Sequence, residues 1–149
     1  MPATPQLPAL SPDMTAEDAA AVVDGWSLPP GTLVERMGIR LTGIGWEWAE
    51  GACAVEGNLQ PAGLFHGGGH VVIAETLASM HAAMRVGGAV VGVDLNATHL
   101  RSITEGTVFA RAQVLHAGRR LFNHEVRMTD ADDRLLSIVR ISNMVLQGS

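Results

Sequence analysis

Lysine and tyrosine are absent from this 149-residue chain, cysteine occurs once, and aromatic residues make up only 4%. Each scarcity narrows the field. A single cysteine, Cys53, cannot staple the chain internally, so nothing argues for an oxidising compartment and the cytoplasm is the expected location. Without lysine every basic side chain is arginine, and a net charge of −5 leaves no broad basic face for nucleic acid or a membrane surface. No apolar run reaches the ~18 residues that span a bilayer, and no basic start followed by an apolar stretch resembles a signal peptide. Charged residues are also sparse, 17% against 47% hydrophobic, which is a globular composition at a length that suits one core.

What is present falls into an ordered pattern. Residues 1–14 are largely proline-rich and aperiodic and read as a mobile N-terminal arm; residues 15–149 form the single domain. Thr15, with Glu17 and Asp18 behind it, opens a short helix to about Asp24, because acidic groups favour a helix N-terminus. Leu28-Pro29-Pro30-Gly31 breaks the chain. Met37, Ile39 and Leu41 alternate as in a half-buried strand, and a second strand is expected from about Gly51 to Gly57. After the glycine-rich loop of Asn58 to Gly69 comes a helix from about Gly69 to Val86, apolar on nearly all sides and ended by Gly87-Gly88. Four strands follow: Ala89 to Thr98, Thr107 to Ala117, Leu121 to Thr129 and Arg134 to Leu146. Two strands, one wrapped helix and then a run of antiparallel strands make an α+β fold, a curved sheet around a central helix. A parallel βαβ fold would need more helices between the later strands.

Within that helix Glu75 sits among Val72, Ile73, Ala74, Leu77 and Ala78. A carboxylate in apolar surroundings costs several kcal/mol unless it is paired or protonated, which marks it as functional. Ser79, one helical turn later, shares its face. The loop Gly63-Leu64-Phe65-His66-Gly67-Gly68-Gly69 leads straight into the helix. Its glycines let backbone approach a ligand, and helix-start N–H groups can polarise a carbonyl. It carries neither the Walker lysine nor a dinucleotide fingerprint. Glu75 lies roughly 13 Å along the axis from His66 and about 180° around it. If both ends of this segment are catalytic, they meet across a subunit interface, and a symmetric dimer has two such sites.

Gln60-Pro61-Ala62-Gly63-Leu64-Phe65-His66-Gly67-Gly68 followed by Ala74-Glu75-Thr76-Leu77-Ala78-Ser79 resembles the signature of the hot-dog-fold acyl-CoA thioesterases. It is most similar to the 4-hydroxybenzoyl-CoA branch, with Glu on the central helix, and also resembles the phenylacetate-pathway thioesterases, which carry Asp there. The resemblance runs from about Gly38 to Val145. It implies that Gly67 N–H binds the thioester carbonyl, that Gln60 assists through its side-chain amide, and that His66 positions the loop or substrate. It further implies that Glu75 of the facing subunit attacks the acyl carbon or activates water, with Ser79 placing that water. Gly68, Arg101, Arg119 and Arg120 would contact the coenzyme A portion, where arginine can grip phosphates bidentately. At the last two positions this sequence departs from the relative's Ser-Thr. No separate cofactor is implied, since coenzyme A belongs to the substrate, and the partner is a second copy: a dimer at minimum, and by family analogy a tetramer.

Other chemistries fit less well. His66 and His70 have the spacing of a metal pair, but Glu75 projects well around the helix and the zincin order is absent. Local signatures of a Ser–His or Cys–His hydrolase are missing, and Cys53 lies within a strand candidate. Trp46 and Trp48, and His81 with Arg85, read as packing or interface residues. A hot-dog hydratase or dehydratase lacks its Asp-to-His spacing, and a non-catalytic acyl-CoA-binding or regulatory protein would not need an intact Glu75 and Gly67.

Overall fold

The computed structural model describes residues 7–146. Helix α1 spans Ala16–Asp24, α2 Leu33–Met37 and α3 Gly67–Val86; the strands are β1 Arg40–Ile44, β2 Trp48–Ala54, β3 Val90–His99, β4 Thr107–Ala117, β5 Leu121–Thr129 and β6 Leu135–Val145. All six strands join one sheet in the order β1-β2-β4-β5-β6-β3, and every neighbouring pair is antiparallel. Helix α3 connects β2 to β3, which stand far apart in that order, and packs against β2 through β6. This is the hot-dog arrangement that the resemblance implies.

Alternation explains the register. Val108, Ala110 and Ala112 of β4, Val126 and Met128 of β5, and Leu136, Val139 and Ile141 of β6 are buried under α3, while Phe109, Arg111 and Gln113 face outward. Ile73, Ala74, Leu77, Ala78 and Met84 form the facing helical stripe. Burying a side chain such as Leu77 or Ile141 contributes about 2 kcal/mol each. At Gly51 a Cβ would stand 2.9 Å from the Leu77 side chain and 2.8 Å from Arg40 O, so glycine lets the helix approach the sheet.

Several boundaries differ from the expectation. Thr15 is the N-cap of α1 and forms a reciprocal capping box with Asp18. Met37 ends a helix rather than opening a strand: Thr32 caps α2, Gly38 adopts φ 68° as its C-cap, and the strand starts at Arg40. Strand β2 begins at Trp48, not Gly51, and α3 starts at Gly67, inside the segment read as loop. The last strand occupies Leu135–Val145 within the expected 134–146. Where it is described, the expected arm contacts the domain: Leu10 is buried, and its N–H donates to Met84 O at 3.0 Å, one of the carbonyls in the last turn of α3. Residues 1–6 and 147–149 of the expected arm and domain lie outside the described residues.

Strand β3 forms one edge of the sheet and exposes three apolar side chains, Val91 (41% exposed), Val93 (50%) and Leu95 (37%), which do not share a face: Val91 pairs with the exposed Met144, whereas Leu95 pairs with the buried Ile141 on the helix side. Its register with β6 shifts between Gly92 and Asp94. A long apolar edge is a template for another strand.

Candidate active site

The loop before α3 is built to leave one N–H free. His66 is the N-cap, and its Nδ1 accepts from Gly68 N–H at 2.8 Å, which fixes the ring hydrogen on Nε2 when the imidazole is neutral. His66 O accepts from Gly69 N–H at 2.8 Å, and His66 N–H donates to Asn58 O at 2.9 Å. Among the described residues Gly67 N–H makes no hydrogen bond. The N–H of Gly68, a position expected to contact the coenzyme A portion, is taken by His66, and the donor left at the positive end of α3 is Gly67.

A cleft of about 440 Å³ opens in front of Gly67, lined by Gln60, His66, His70, His99 and Arg101 among others. Gln60 Oε1 accepts from Ala62 N–H at 3.0 Å, which turns the side-chain NH2 outward as the available donor. Arg101 is exposed; its backbone N–H is anchored to Leu136 O at 3.1 Å, and among the described residues its guanidinium has no ion-pair partner.

Two further histidines line this cleft: His99, which escaped the sequence reading, and His70, which was weighed there only as half of a metal pair. His99 stands so close to Gly67 that a Cβ there would lie 2.7 Å from its Nε2. Ser137 Oγ–H donates to Thr98 O at 3.2 Å and so accepts from His99 Nδ1–H at 2.9 Å, leaving Nε2 as a bare lone pair beside the glycine. His70 is 4% exposed, its ring centroid 5.5 Å from that of His99 and 4.8 Å from that of Phe65, and among the described residues its buried Nδ1 has no partner. Burial, and secondarily the neighbouring His99, push its pKa down to about 4, so it is neutral at pH 7. A lone histidine at a strand end gives no signal of its own; only the β3–β6 pairing carries His99 to the start of α3.

Glu75 belongs to the same helix as Gly67 but not to this cleft. The two are separated by roughly 12 Å of helix rise. The environment expected for Glu75 is corrected as well: within one protomer its side chain is exposed, lying over Gly92 of the β3 edge. The apolar surroundings read from the helix face away from it, toward the sheet. Ser79 shares its face and donates its hydroxyl to Asn143 Oδ1 of β6 at 2.7 Å. Arg119 and Arg120 sit exposed in the β4–β5 turn, outside the Gly67 cleft and at the Asn143 end of the sheet, where Val145 N–H donates to Arg120 O at 2.9 Å.

Cys53 is buried, and its burial raises the thiol pKa to about 11, which removes it as a nucleophile. His81 and Arg85, expected to serve packing or an interface, are engaged inside the chain: Arg85 donates to Trp46 O at 2.9 Å, pairs with Glu47 at 3.0 Å and stacks on Trp46 at 4.1 Å.

Residues 62–137 match the model of the Thioesterase superfamily. The chain is 38% identical to the proofreading thioesterase EntH of Cronobacter turicensis, over 78% of this chain and 87% of that one. Among solved structures, a thioesterase from Haemophilus influenzae superposes with a TM-score of 0.75 at 31% identity, covering 79% of this chain and 85% of its own. A thioesterase variant from Pseudomonas aeruginosa gives the same TM-score and identity over 78% and 86%.

Proposed function

Because the chain belongs to the thioesterase superfamily, we propose that it hydrolyses an acyl-coenzyme A thioester of an aromatic or medium-size acid, Glu75 of one protomer acting on a carbonyl held by Gly67 of another. The observation that carries this reading is the division of one site into two incomplete halves. Gly67 offers an unused N–H in an open cleft, while Glu75 stands roughly 12 Å along the same helix beside an apolar sheet edge. Pairing β3 with β3 of a second copy buries Val91, Val93 and Leu95 and gives each Glu75 a route to the other protomer's cleft. A dimer is the minimum assembly, and the family analogy extends it to a tetramer.

In this site the thioester oxygen accepts from Gly67 N–H, helped by the Gln60 amide, at the positive end of α3. Glu75 supplies either the nucleophile or the base that deprotonates water. On either route a C–O bond forms at the acyl carbon, charge collects on the thioester oxygen, and collapse breaks the C–S bond. On the base route the proton that Glu75 took from water passes to the departing thiolate; on the nucleophile route a water gives its proton to the thiolate and its hydroxide to the acyl–Glu75 anhydride, releasing free acid and restoring the carboxylate. Arg101 meets the coenzyme A phosphates at the cleft mouth. The protein acts in the cytoplasm without a resident cofactor.

A panel of aromatic and medium-chain acyl-CoAs, with free thiol as readout, tests the reaction. Glu75→Gln is expected to lower turnover at least ~100-fold while leaving the melting temperature near wild type. Near-normal turnover in that variant sinks the assignment of Glu75; binding of acyl-CoA without thiol release favours a non-catalytic binding protein.

A further inference from the structure

Beside Glu75 the sheet contributes an amide that no local motif singles out. Asn143 of β6 is 0% exposed and faces Gly92 directly across the β3–β6 ladder. A Cβ on Gly92 would lie 2.8 Å from Glu75 Oε1 and 3.8 Å from Asn143 Oδ1, so the carboxylate and the amide share the space that a glycine leaves open. Ser79 joins them, its hydroxyl donating to Asn143 Oδ1 at 2.7 Å. The other end of the amide is poorly served: Asn143 Nδ2 is buried and has no partner among the described residues. A buried unsatisfied donor is costly, and such a group in a native fold calls for an explanation beyond packing.

A serine hydroxyl has one hydrogen and two lone pairs. Asn143 takes the hydrogen, so Ser79 presents only lone pairs to the space next to Glu75, its neighbour on the same helix face. A water lodged there has two hydrogens to place. One goes to the Glu75 carboxylate and the other to Ser79 Oγ, and the water's remaining lone pair is aimed at the acyl carbon. With no acceptor at 143, the Ser79 hydroxyl is free to turn its hydrogen onto Glu75, and the water loses one of its two anchors.

We propose that Asn143 is a positioning residue for the hydrolytic step, holding Ser79 as an acceptor so that Ser79 and Glu75 together orient the attacking water. The inference rests on the assignment of Glu75 and commits that carboxylate to activating water. The water oxygen bonds to the acyl carbon as its proton passes to Glu75. Collapse of the tetrahedral species then breaks the C–S bond, and the proton passes on to the departing thiolate, giving free acid and thiol.

The test is a double-mutant cycle of Asn143→Leu and Ser79→Ala, read in kcat, KM and melting temperature on one acyl-CoA substrate, with Glu75→Gln measured alongside. Since Asn143 acts only through Ser79, each single variant is expected to lose about 10- to 100-fold in kcat with KM within about twofold of wild type. The double variant loses no more than the worse single one. Additive kcat losses, or an Asn143→Leu protein with wild-type kcat, overturn the inference, because a merely structural asparagine lowers the melting temperature without depending on Ser79. If Asn143→Leu does not fold, Asn143→Ala takes its place in the same cycle. An active Glu75→Gln protein refutes the catalytic carboxylate itself and this inference with it. An inactive Glu75→Gln protein combined with an additive cycle removes the role of Asn143 alone.

Discussion

Helix α3 carries a histidine pair at each end, and the two pairs are used in opposite ways. Toward the C-terminus His81 Nε2 lies 3.0 Å from Gly45 O, and His81 Nδ1 lies 3.0 Å from His124 Nε2. A carbonyl can only accept, so His81 carries its hydrogen on Nε2, and His124 must donate from Nε2 to His81 Nδ1. Every hydrogen of that pair is placed, and among the described residues only the buried His124 Nδ1 lone pair lacks a donor. At the N-terminus the His70 and His99 rings face each other beside Gly67 in an open cleft, with no hydrogen bond between them and the His99 Nε2 lone pair unused. Residue type does not separate the two ends, and burial separates them only at His99, which is exposed while His70, His81 and His124 are all buried. What separates them is whether the chain itself consumes the polar groups. The saturated end is architecture; the unsaturated end is where the proposed reaction would receive its carbonyl.

The largest effect expected from breaking this contrast lies at the closed end. His81→Ala removes a fully buried ring and strands both Gly45 O and the His124 donor. A cavity plus unsatisfied partners is expected to cost about 3–4 kcal/mol of stability, measured as a drop in the denaturant midpoint, while the folded fraction keeps its kcat. Lost turnover in a protein of unchanged stability would place His81 in the site after all. At the open end the signs reverse. Gly67→Ala pushes a methyl group into His99 and into the space for the thioester oxygen. Turnover is expected to fall about 100-fold, with the melting temperature little changed. A stability loss equal to that of His81→Ala would erase the distinction between the ends.

Acid sharpens the comparison without mutation. His70 is held down to about 4 and His124 to about 3, both chiefly by burial, and His81 is lowered for the same reason. Below pH ~6.5 the unfolded chain protonates these rings while the folded chain keeps them neutral, so the unfolded state binds more protons and stability falls with falling pH. The limiting slope is about 1.4 kcal/mol per pH unit for each histidine, flattening near pH 4 for His70 and near pH 3 for His124. Urea midpoints between pH 7 and 4 should show it, and His70→Phe should remove about one histidine's share. A curve unaffected by that substitution would mean that His70 already titrates with its ordinary pKa in the fold.

The fold was legible where periodicity was long. Alternation over Val108 to Val114 and over Leu135 to Val145 set two strands and their buried faces, and the apolar helix through Leu77 set the centre. Short or borrowed structure was not legible. Five residues of α2 carry too little pattern to outweigh the Met37–Ile39–Leu41 alternation, and Leu10 docks on a carbonyl that no local sequence reveals. At the candidate site the His-Gly-Gly run and Glu75 stood out because each has a local chemical reason. His99 and Asn143 did not, since their neighbours arrive through strand pairing or helix packing, and His70 was visible only by its spacing from His66. A helical wheel also could not tell the face of α3 against its own sheet from the face that carries Glu75, because apolar residues border both.

Arg101 gives the smallest expected effect and extends the contrast between the ends to the substrate's far portion. At the closed end Arg85 is spent on Trp46 and Glu47, whereas the Arg101 guanidinium at the cleft has no ion-pair partner among the described residues. An exposed cation meeting phosphate contributes on the order of 1 kcal/mol, less as salt rises. Arg101→Ala is therefore expected to raise KM for acyl-CoA about three- to tenfold, to leave kcat nearly unchanged, and to do neither with a short thioester that lacks the nucleotide. Added salt should shrink the gap between wild type and variant on the CoA ester. Equal rises in KM for both esters would mean that Arg101 shapes the cleft rather than gripping phosphate, and the unpaired guanidinium would then need a different ligand.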